Sequence, residues 1–350
     1  MQSFRPPVTI TKKGKDFYIK SAANGTIKWA LPVLKIDAAA GQTLDFNEKQ
    51  YPRTLMLHGK SGDKIDVINA LPIEEYLPGV LARELYPNWN QKAFDAQAIA
   101  ARSYALWELT LHTDRYYDLE STTASQAYVG KTKAAKPLNG VRNTRGRVLV
   151  WDSRIVPAFY SASHGGVAND ASAALIGKTP QIPPLHGGRR GDFANISSGK
   201  KVYAWGPQSR DRKMLARRFA AYGKARNLTI QYLKDIKKIG VTKKSKAGRP
   251  IEFAVVDVDG KAYRIPCEYL RNACNYSGGG LPKVARKDIV KSSFVKFRFK
   301  GNNVLIWGRG YGHGVGMSQW GAQGMALRGY PADKILRNYY PGAKIQQIYK

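Results

Sequence analysis

Apolar and polar positions alternate in short runs over the first 70 residues. Phe17-Tyr18-Ile19, residues 27–31 and residues 54–57 are each bounded by Gly, Asn or Asp, the pattern of strands joined by turns. The period changes after Asn69. Residues 73–77 and 80–85 have helical spacing. Pro72 stands where a first turn tolerates a missing N–H, and Pro87 ends the run. Pro78-Gly79 lies inside this helix and predicts a kink. Residues 91–111 form a second helix, rich in Ala and carrying Phe94, Ile99, Leu106 and Trp107; its small residues predict close packing on a neighbour. From 141 to 163 the spacing is that of strands: residues 147–151, a turn at Asp152-Ser153, then residues 155–160.

Beyond this the pattern is interrupted by a basic segment, 186–250, with 18 Lys or Arg against Asp192, Asp211 and Asp235. Within it residues 210–227 read as a helix with Met214, Leu215, Phe219 and Tyr222 as its apolar stripe. Residues 251–258 and 262–265 flank Asp259-Gly260 and predict a β-hairpin. The tail holds strands at 294–299 and 304–307, a glycine-rich loop, and a closing helix near 318–327. There is no internal repeat. The fold class this predicts is α+β, with a β-rich portion over 1–65 and a main domain over 66–350 from which the basic insert 186–250 projects.

Composition narrows the function. The 350 residues are 43% hydrophobic, enough for a packed core, and no run of 18 apolar residues offers a membrane span. Formal charge is +32, with 57 basic residues against 25 acidic, so the chain attracts polyanions: nucleic acid, anionic headgroups or an acidic wall polymer. No nucleic-acid-binding motif accompanies that charge. The Lys and Arg between 186 and 250, especially Arg189, Arg190, Arg217 and Arg218, are the expected carriers of the attraction. Residues 1–7 contain no apolar signal-peptide core, which fits either a cytoplasmic protein or a mature exported form.

Few side chains carry plausible chemistry. Glu84 ends the first helix between Leu81 and Leu85; the negative end of the helix dipole and apolar neighbours both disfavour its charge and suit a general acid. The plain alternative is a surface Glu beside Arg83. Residues 308–321 hold six glycines, five of them at alternate positions around His313, leaving backbone that a ligand can approach. They lack the strand–loop–helix context of a dinucleotide site and the Gly-Lys-Ser/Thr of a P-loop. Ser161 and Ser163 with His164-Gly165-Gly166 follow a strand. A Ser–His nucleophile pair there is disfavoured because adjacent strand residues point to opposite faces; a loop offering hydroxyls to sugar or carboxylate is the stronger reading. Cys267 and Cys274 lie roughly 10 Å apart on a continuous helix, too far for a disulfide, so a bridge requires the helix to end first. The five histidines show no metal-ligand spacing.

Several segments in order resemble the SpoIID/LytB family of cell-wall proteins: Ile68-Asn69-Ala70-Leu71-Pro72-Ile73-Glu74-Glu75-Tyr76-Leu77-Pro78-Gly79-Val80, then Arg83-Glu84-Leu85-Tyr86-Pro87; Ala96-Gln97-Ala98-Ile99-Ala100-Ala101-Arg102-Ser103-Tyr104-Ala105; Ser125-Gln126-Ala127-Tyr128-Val129-Gly130; Ala158-Phe159-Tyr160-Ser161 through Gly166; Gly312-His313-Gly314-Val315-Gly316-Met317-Ser318-Gln319; and Tyr339-Tyr340-Pro341-Gly342. The resemblance runs from about 66 to 350. It implies a SpoIID-like catalytic domain and a peptidoglycan lytic transglycosylase, cutting the β-1,4 bond from N-acetylmuramic acid to N-acetylglucosamine and leaving 1,6-anhydro-muramyl ends, with strands lacking stem peptides among the expected substrates. Glu84 matches the catalytic position. Gln126, Tyr128, Tyr160, Ser161, Ser163, His164, Gly165, His313, Gly314, Gly316, Ser318 and Gln319 are the expected substrate-binding residues.

The resemblance also implies glycan strands as partner, an amidase as a second partner, no nucleic acid and no cofactor. It places the chain in the periplasm, or secreted to the cell wall, as a mature form. Some family members bind zinc through Cys and His just before the Gln-x-Tyr segment; residues 119–125 here have neither, so no metal is expected. The rival expectation is a non-catalytic wall-binding protein or amidase enhancer on the same fold.

Overall fold

The structure is a computed structural model that describes residues 6–111, 113–175, 180–189, 191, 193–194 and 200–350. It comprises two compact units, one of Met1–Pro87 with Leu109–Arg142, the other of Asn88–Glu108 with Asn143–Lys350. Helices and sheets are mixed in the α+β manner. Among the described residues no helix is long and apolar enough to cross a membrane.

The first unit opens with eight strands, β1 (Val8–Lys13), β2 (Asp16–Ser21), β3 (Gly25–Trp29), β4 (Val33–Asp37), β5 (Thr43–Phe46), β6 (Lys49–Pro52), β7 (Thr54–Gly59) and β8 (Ile65–Ala70). They form antiparallel sheets β1-β2-β3, β4-β7-β8 and β5-β6. Phe17, Ile19, Leu34 and Leu57 close a small core between the first two sheets, with Trp29 and Val67 packed against it. Helix α1 (Ile73–Glu84) follows, with Pro72 as its cap and Glu74 and Glu75 in its first turn, where carboxylates favour the helix dipole. It runs through Pro78 as one helix rather than breaking there. The Pro78-Gly79 step answers to packing: a methyl on Gly79 would fall 2.5 Å from Tyr128 Cε2 and against the Gly130 carbonyl. Backbone closeness at this point lets residues 126–131 lie across α1, and Lys131 N–H donates to the Gln50 carbonyl at 2.7 Å.

Helix α2 (Gln91–Leu111) forms most of its turns in the second unit, and α3 (Ala135–Asn143) belongs almost wholly to the first. The many Ala of α2 are buried, as expected, and Gln97, Arg102, Ser103 and Glu108 go in with them. Arg102, fully buried, donates to the Arg147 carbonyl at 3.1 Å, and Ser103 Oγ accepts from Leu149 N–H at 2.8 Å. Both bonds fasten α2 to strand β9 (Arg147–Trp151). The Asp152-Ser153 turn has positive φ at both positions, 48° and 57°, matching the hairpin geometry expected. The predicted strand over 155–160 is two short pieces, β10 (Arg154–Ile155) and β11 (Tyr160–Ser161), in different sheets. Pro157 lies between them and has no N–H to continue a ladder.

The described part of the basic segment from 204 onward is built into a core. Strand β12 (Ala204–Asp211), a helix over Arg212–Ala225, β13 (Ile236–Lys244), β14 (Pro250–Asp257), β15 (Ala262–Pro266), a helix over Cys267–Asn275, β16 (Val295–Lys300) and β17 (Asn303–Arg309) share one core. Leu215, Phe219, Phe253, Val255, Leu270, Val304 and Ile306 meet there, each nearly solvent-free. Two antiparallel sheets, β13-β14-β15 and β12-β17-β16, flank it. The hairpin around Asp259-Gly260 pairs as predicted, Val256 opposite Ala262. Of the three described arginines singled out for a polyanion, Arg217 alone is exposed. Arg218, 5% exposed, donates to the Tyr276 and Pro282 carbonyls. Arg189 is half-buried and donates to the Tyr339 and His186 carbonyls. Arg190 lies outside the described residues. Cys267 and Cys274 sit on one unbroken helix as separate buried thiols, pushed up by burial to about 11 and about 12. The sequence alternative of a helix ending before Cys274 is therefore not taken.

Gly79→Ala tests the α1 packing. At an exposed helical position this change stabilises by about 1 kcal/mol. Here it should destabilise by about 1–3 kcal/mol through overpacking against Tyr128 and Gly130. An unchanged or raised melting temperature would contradict the close approach.

Candidate functional site

The candidate residues fall into one group in each unit. In the first unit Glu84 is the last residue of α1, half-buried, with Leu81 and Leu85 buried beside it. The end of α1 is set by Leu85, whose extended backbone follows a final N–H bond to the Leu81 carbonyl. Gln126 and Tyr128, expected to contact substrate, are 1% and 8% exposed. Tyr76 hydroxyl donates to Gln126 Oε1 at 3.3 Å, and Tyr128 hydroxyl donates to Asn69 Oδ1 at 2.9 Å. Asn69 in turn donates to the Pro52 and Thr54 carbonyls. The rings of Tyr76 and Tyr128 are 5.0 Å apart, and burial raises the Tyr128 phenol further above its ordinary value. These two residues brace α1 against β6–β8, and through α1 they fix where Glu84 sits.

In the second unit two glycine-bearing loops interlock, 161–166 and 308–316. Ser163 and Tyr311 exchange both backbone hydrogen bonds, at 3.0 and 2.8 Å. One step along, β11 pairs in parallel with β18 (Met317–Ser318), Tyr160 opposite Met317 and Ser161 opposite Ser318. Gly314 (φ +78°) has Arg249 Nη2 only 2.8 Å from where a Cβ would stand, and a methyl on Gly316 would strike the Phe159 carbonyl. These glycines admit neighbouring protein groups to the backbone.

The side chains of the loops serve the same frame. Ser161 Oγ accepts from Gly314 N–H at 3.2 Å, and Ser163 Oγ accepts from Gly165 N–H at 3.2 Å. Ser163 and His164 are 0% and 2% exposed, and the His164 ring stands edge-on to Tyr339. Ser318 caps the helix Gln319–Leu327 by accepting from Gly321 N–H, and Gln319 is 7% exposed at its start. Of the twelve expected substrate-binding residues, Tyr160 and His313 keep partial exposure. Tyr311 between the loops is 42% exposed, and the sequence reading passed over it.

His313 is fixed in one tautomer. Its Nδ1 accepts from Val315 N–H at 3.1 Å, so its proton sits on Nε2, which donates to the Tyr160 carbonyl at 2.9 Å. Burial, opposed by the Glu268 carboxylate, lowers its pKa to about 4, so the ring is neutral at pH 7. Asn169 holds the same turn, donating from Nδ2 to the His313 carbonyl and from its backbone to the Gly314 carbonyl.

The residue that sequence reasoning missed is Arg249. It is 1% exposed, and its Nη1 donates to the His164 carbonyl at 2.9 Å and to the Val167 carbonyl at 2.7 Å. Burial lowers its pKa to about 10, offset in part by Glu268, so it stays charged at neutral pH. Its place at the end of a run of lysines hid it among solvated charges.

The His313 shift has a sign that can be checked. A histidine at about 4 in the folded chain and near 6.5 unfolded takes up its proton on unfolding between those values. Its contribution is therefore complete above pH 6.5 and is lost as pH falls toward 4. Denaturant titrations should show a fall of a few kcal/mol over that window that is smaller in His313→Gln. Equal pH slopes in the two chains would contradict the buried neutral ring.

Residues 61–151 match the SpoIID family, described as stage II sporulation protein. An uncharacterised protein of Brachyspira hyodysenteriae is 27% identical over 288 residues, 81% of this chain and 69% of that one. The stage II sporulation protein D of Bacillus subtilis is 23% identical over 296 residues, covering 80% of this chain and 76% of that protein. An amidase enhancer of Bacillus subtilis is 25% identical over 297 residues, 77% of this chain but 40% of its own length. The segment similar to that family contains α1 with Glu84 and the Gln126–Tyr128 brace, and the relatives align along most of the chain.

Proposed function

We propose that the chain is a peptidoglycan lytic transglycosylase acting on wall glycan, with Glu84 as its acid–base residue. The observation that carries this reading is the place of Glu84: a half-buried carboxyl at the end of a braced helix, inside the segment matched to the family. In the first step the protonated Glu84 carboxyl donates to the glycosidic oxygen as the bond from C1 of muramic acid breaks. The carboxylate then takes the proton of the sugar's C6 hydroxyl, whose oxygen bonds to C1 and closes the 1,6-anhydro ring. The proton given to the leaving oxygen is replaced by the one taken from the C6 hydroxyl, so the carboxyl is restored and no water is consumed. A second carboxylate, which a hydrolase uses to hold water or attack C1, has no task in this sequence. Tyr160 and Tyr311 are the ring side chains of the glycine loops left in reach of a sugar. The neutral His313 acts on the loop, holding its turn without exchanging a proton at pH 7.

A second reading has its own support in the similarity to an amidase enhancer. On that reading the chain binds wall and raises the activity of an amidase without cutting glycan.

Glu84→Gln separates the two. Purified glycan strands, with and without stem peptides, are digested and the products read by mass spectrometry for anhydro-muramyl ends. The wild-type chain should produce them, and Glu84→Gln should lower the rate by about 100-fold or more with melting temperature nearly unchanged, since general acid–base catalysis contributes 10²–10⁴-fold. Residual activity within about tenfold would move the chemistry to another residue. Absence of anhydro ends from the wild type, with faster stem-peptide release when an amidase is added, would favour the enhancer. The proposed substrate also places the chain outside the cytoplasm, and fractionation of the source cells that left it wholly cytosolic would argue against both readings.

A further inference from the structure

With Arg218 and Arg189 turned inward, the attraction implied by the +32 charge is left to cations that stay exposed. One face collects several. In the sheet β12-β17-β16, burial alternates along β17: Val304, Ile306 and Gly308 are buried, while Asn303, Leu305, Trp307 and Arg309 face outward. On the edge strand β16, Phe297 and Phe299 pack toward the core, and Lys296, Arg298 and Lys300 are exposed at alternate positions. Register sets these three directly beside Trp307, Leu305 and Asn303. Alternate strand residues are about 7 Å apart, so the three cations form an even row along the sheet edge.

Aromatic rings accompany the row. Lys296 Nζ lies 5.7 Å from the centre of the Trp307 ring. Arg309 stacks over Tyr203 at 5.2 Å and donates to its hydroxyl. Lys291 stands 5.9 Å over the ring of Tyr311. Residues 307, 309 and 311 thus each join a cation–aromatic pair, and they lead from the sheet into the glycine loop. Along the outer side of β12, Ala204 and Ser209 are neutral, and Asp211 at the far end spends its carboxylate on the Met214 N–H of the helix it caps. A face that merely solvates the protein mixes both signs. This one presents cations and rings, with one aspartate already engaged.

We infer that the outer face of β12-β17-β16 is a binding surface for a carboxylate-bearing polysaccharide. Carboxylates meet Lys296, Arg298, Lys300 and Arg309, and sugar rings lie against Trp307 and Tyr311. The polymer then runs along β17 toward the loops 161–166 and 308–316. A flat three-stranded face has no projecting element to enter a nucleic-acid groove, which favours the polysaccharide over a duplex. The inference rests on the wall-glycan reading only for the identity of the natural polymer.

The test uses the full chain and three probes: labelled polygalacturonate fragments, purified sacculi, and a single-stranded oligonucleotide. Polygalacturonate contains no muramic acid, so its binding is independent of whether the chain cuts wall glycan. The wild type should bind polygalacturonate and sacculi, less tightly as salt rises, because screening shortens the reach of exposed charge. The triple variant Lys296→Gln, Arg298→Gln, Lys300→Gln should lose about tenfold in affinity for both and show a flatter salt dependence. Trp307→Ala should lose a few-fold with the salt dependence intact. If the triple variant melts early, the double change Lys296→Gln, Lys300→Gln is read in its place. Unchanged affinity in the charge variants, no binding of either polysaccharide at low salt, or tighter binding of the oligonucleotide with the same sensitivity to the three substitutions would each overturn the inference. Polygalacturonate binding that survives in a chain with no lytic activity would leave this surface standing and remove only the enzymatic reading.

Discussion

The second unit depends on a buried charge. Arg249 is almost wholly withdrawn from water, and burial of an unpaired guanidinium costs several kcal/mol unless its donors are met. Nη1 alone donates to the carbonyls of His164 and Val167, Nε and Nη2 are buried without a hydrogen-bond partner, and Glu268, itself held by Arg271 at 2.6 Å, supplies an opposing field. The guanidinium lies so close to Gly314 that no side chain fits there. Arg249 therefore orders one glycine loop by accepting its closeness and the other by donating to it. The strand that begins just after it, β14, belongs to the large core of residues 204–309. That core is the mass against which the loops are held, which is why a basic segment of unremarkable sequence is part of the scaffold.

Elements with a strong local cause were legible in sequence. The Ala-rich helix, the Asp152-Ser153 hairpin, the strand pair around Asp259-Gly260 and the capped closing helix all stand near where spacing and turn chemistry put them. The failures share a physical origin in long-range packing. Pro78-Gly79 carries a second role that spacing does not show: Gly79 is the point where residues 126–131 lie on the helix. Pro157 separates two strands that apolar spacing alone would join. Arginines of the basic segment read as solvated, because nothing local tells Arg217, which is exposed, from its neighbour Arg218, which is buried on carbonyls.

The candidate site was legible as a set of segments and much less so as a set of roles. Dense motifs such as Gly312-His313-Gly314-Val315-Gly316 invite a ligand, yet here their backbone is occupied by Ser161, Arg249 and Phe159. His313 illustrates the point. A ring whose Nδ1 accepts and whose Nε2 donates within the loop has spent both nitrogens on structure. Buried, uncharged polar residues in interlocked loops are expensive to replace for reasons of folding alone. Glu84 lies on a helix whose position is fixed by the tyrosine and asparagine contacts behind α1, and it keeps partial exposure.

Net charge is therefore a poor guide to where a polyanion would sit. A buried arginine on carbonyls adds to the formal +32 as much as an exposed lysine does, but it has exchanged its hydration for fixed partners and offers no donor to a ligand. The attraction that matters is the part of the charge that is exposed, unopposed and arranged in a row. Residues 296, 298 and 300 meet those conditions because strand alternation sends Phe297 and Phe299 to the core and turns the intervening cations outward. The same alternation that fills the core builds the charged face, so the two cannot be altered independently by shifting the register of β16.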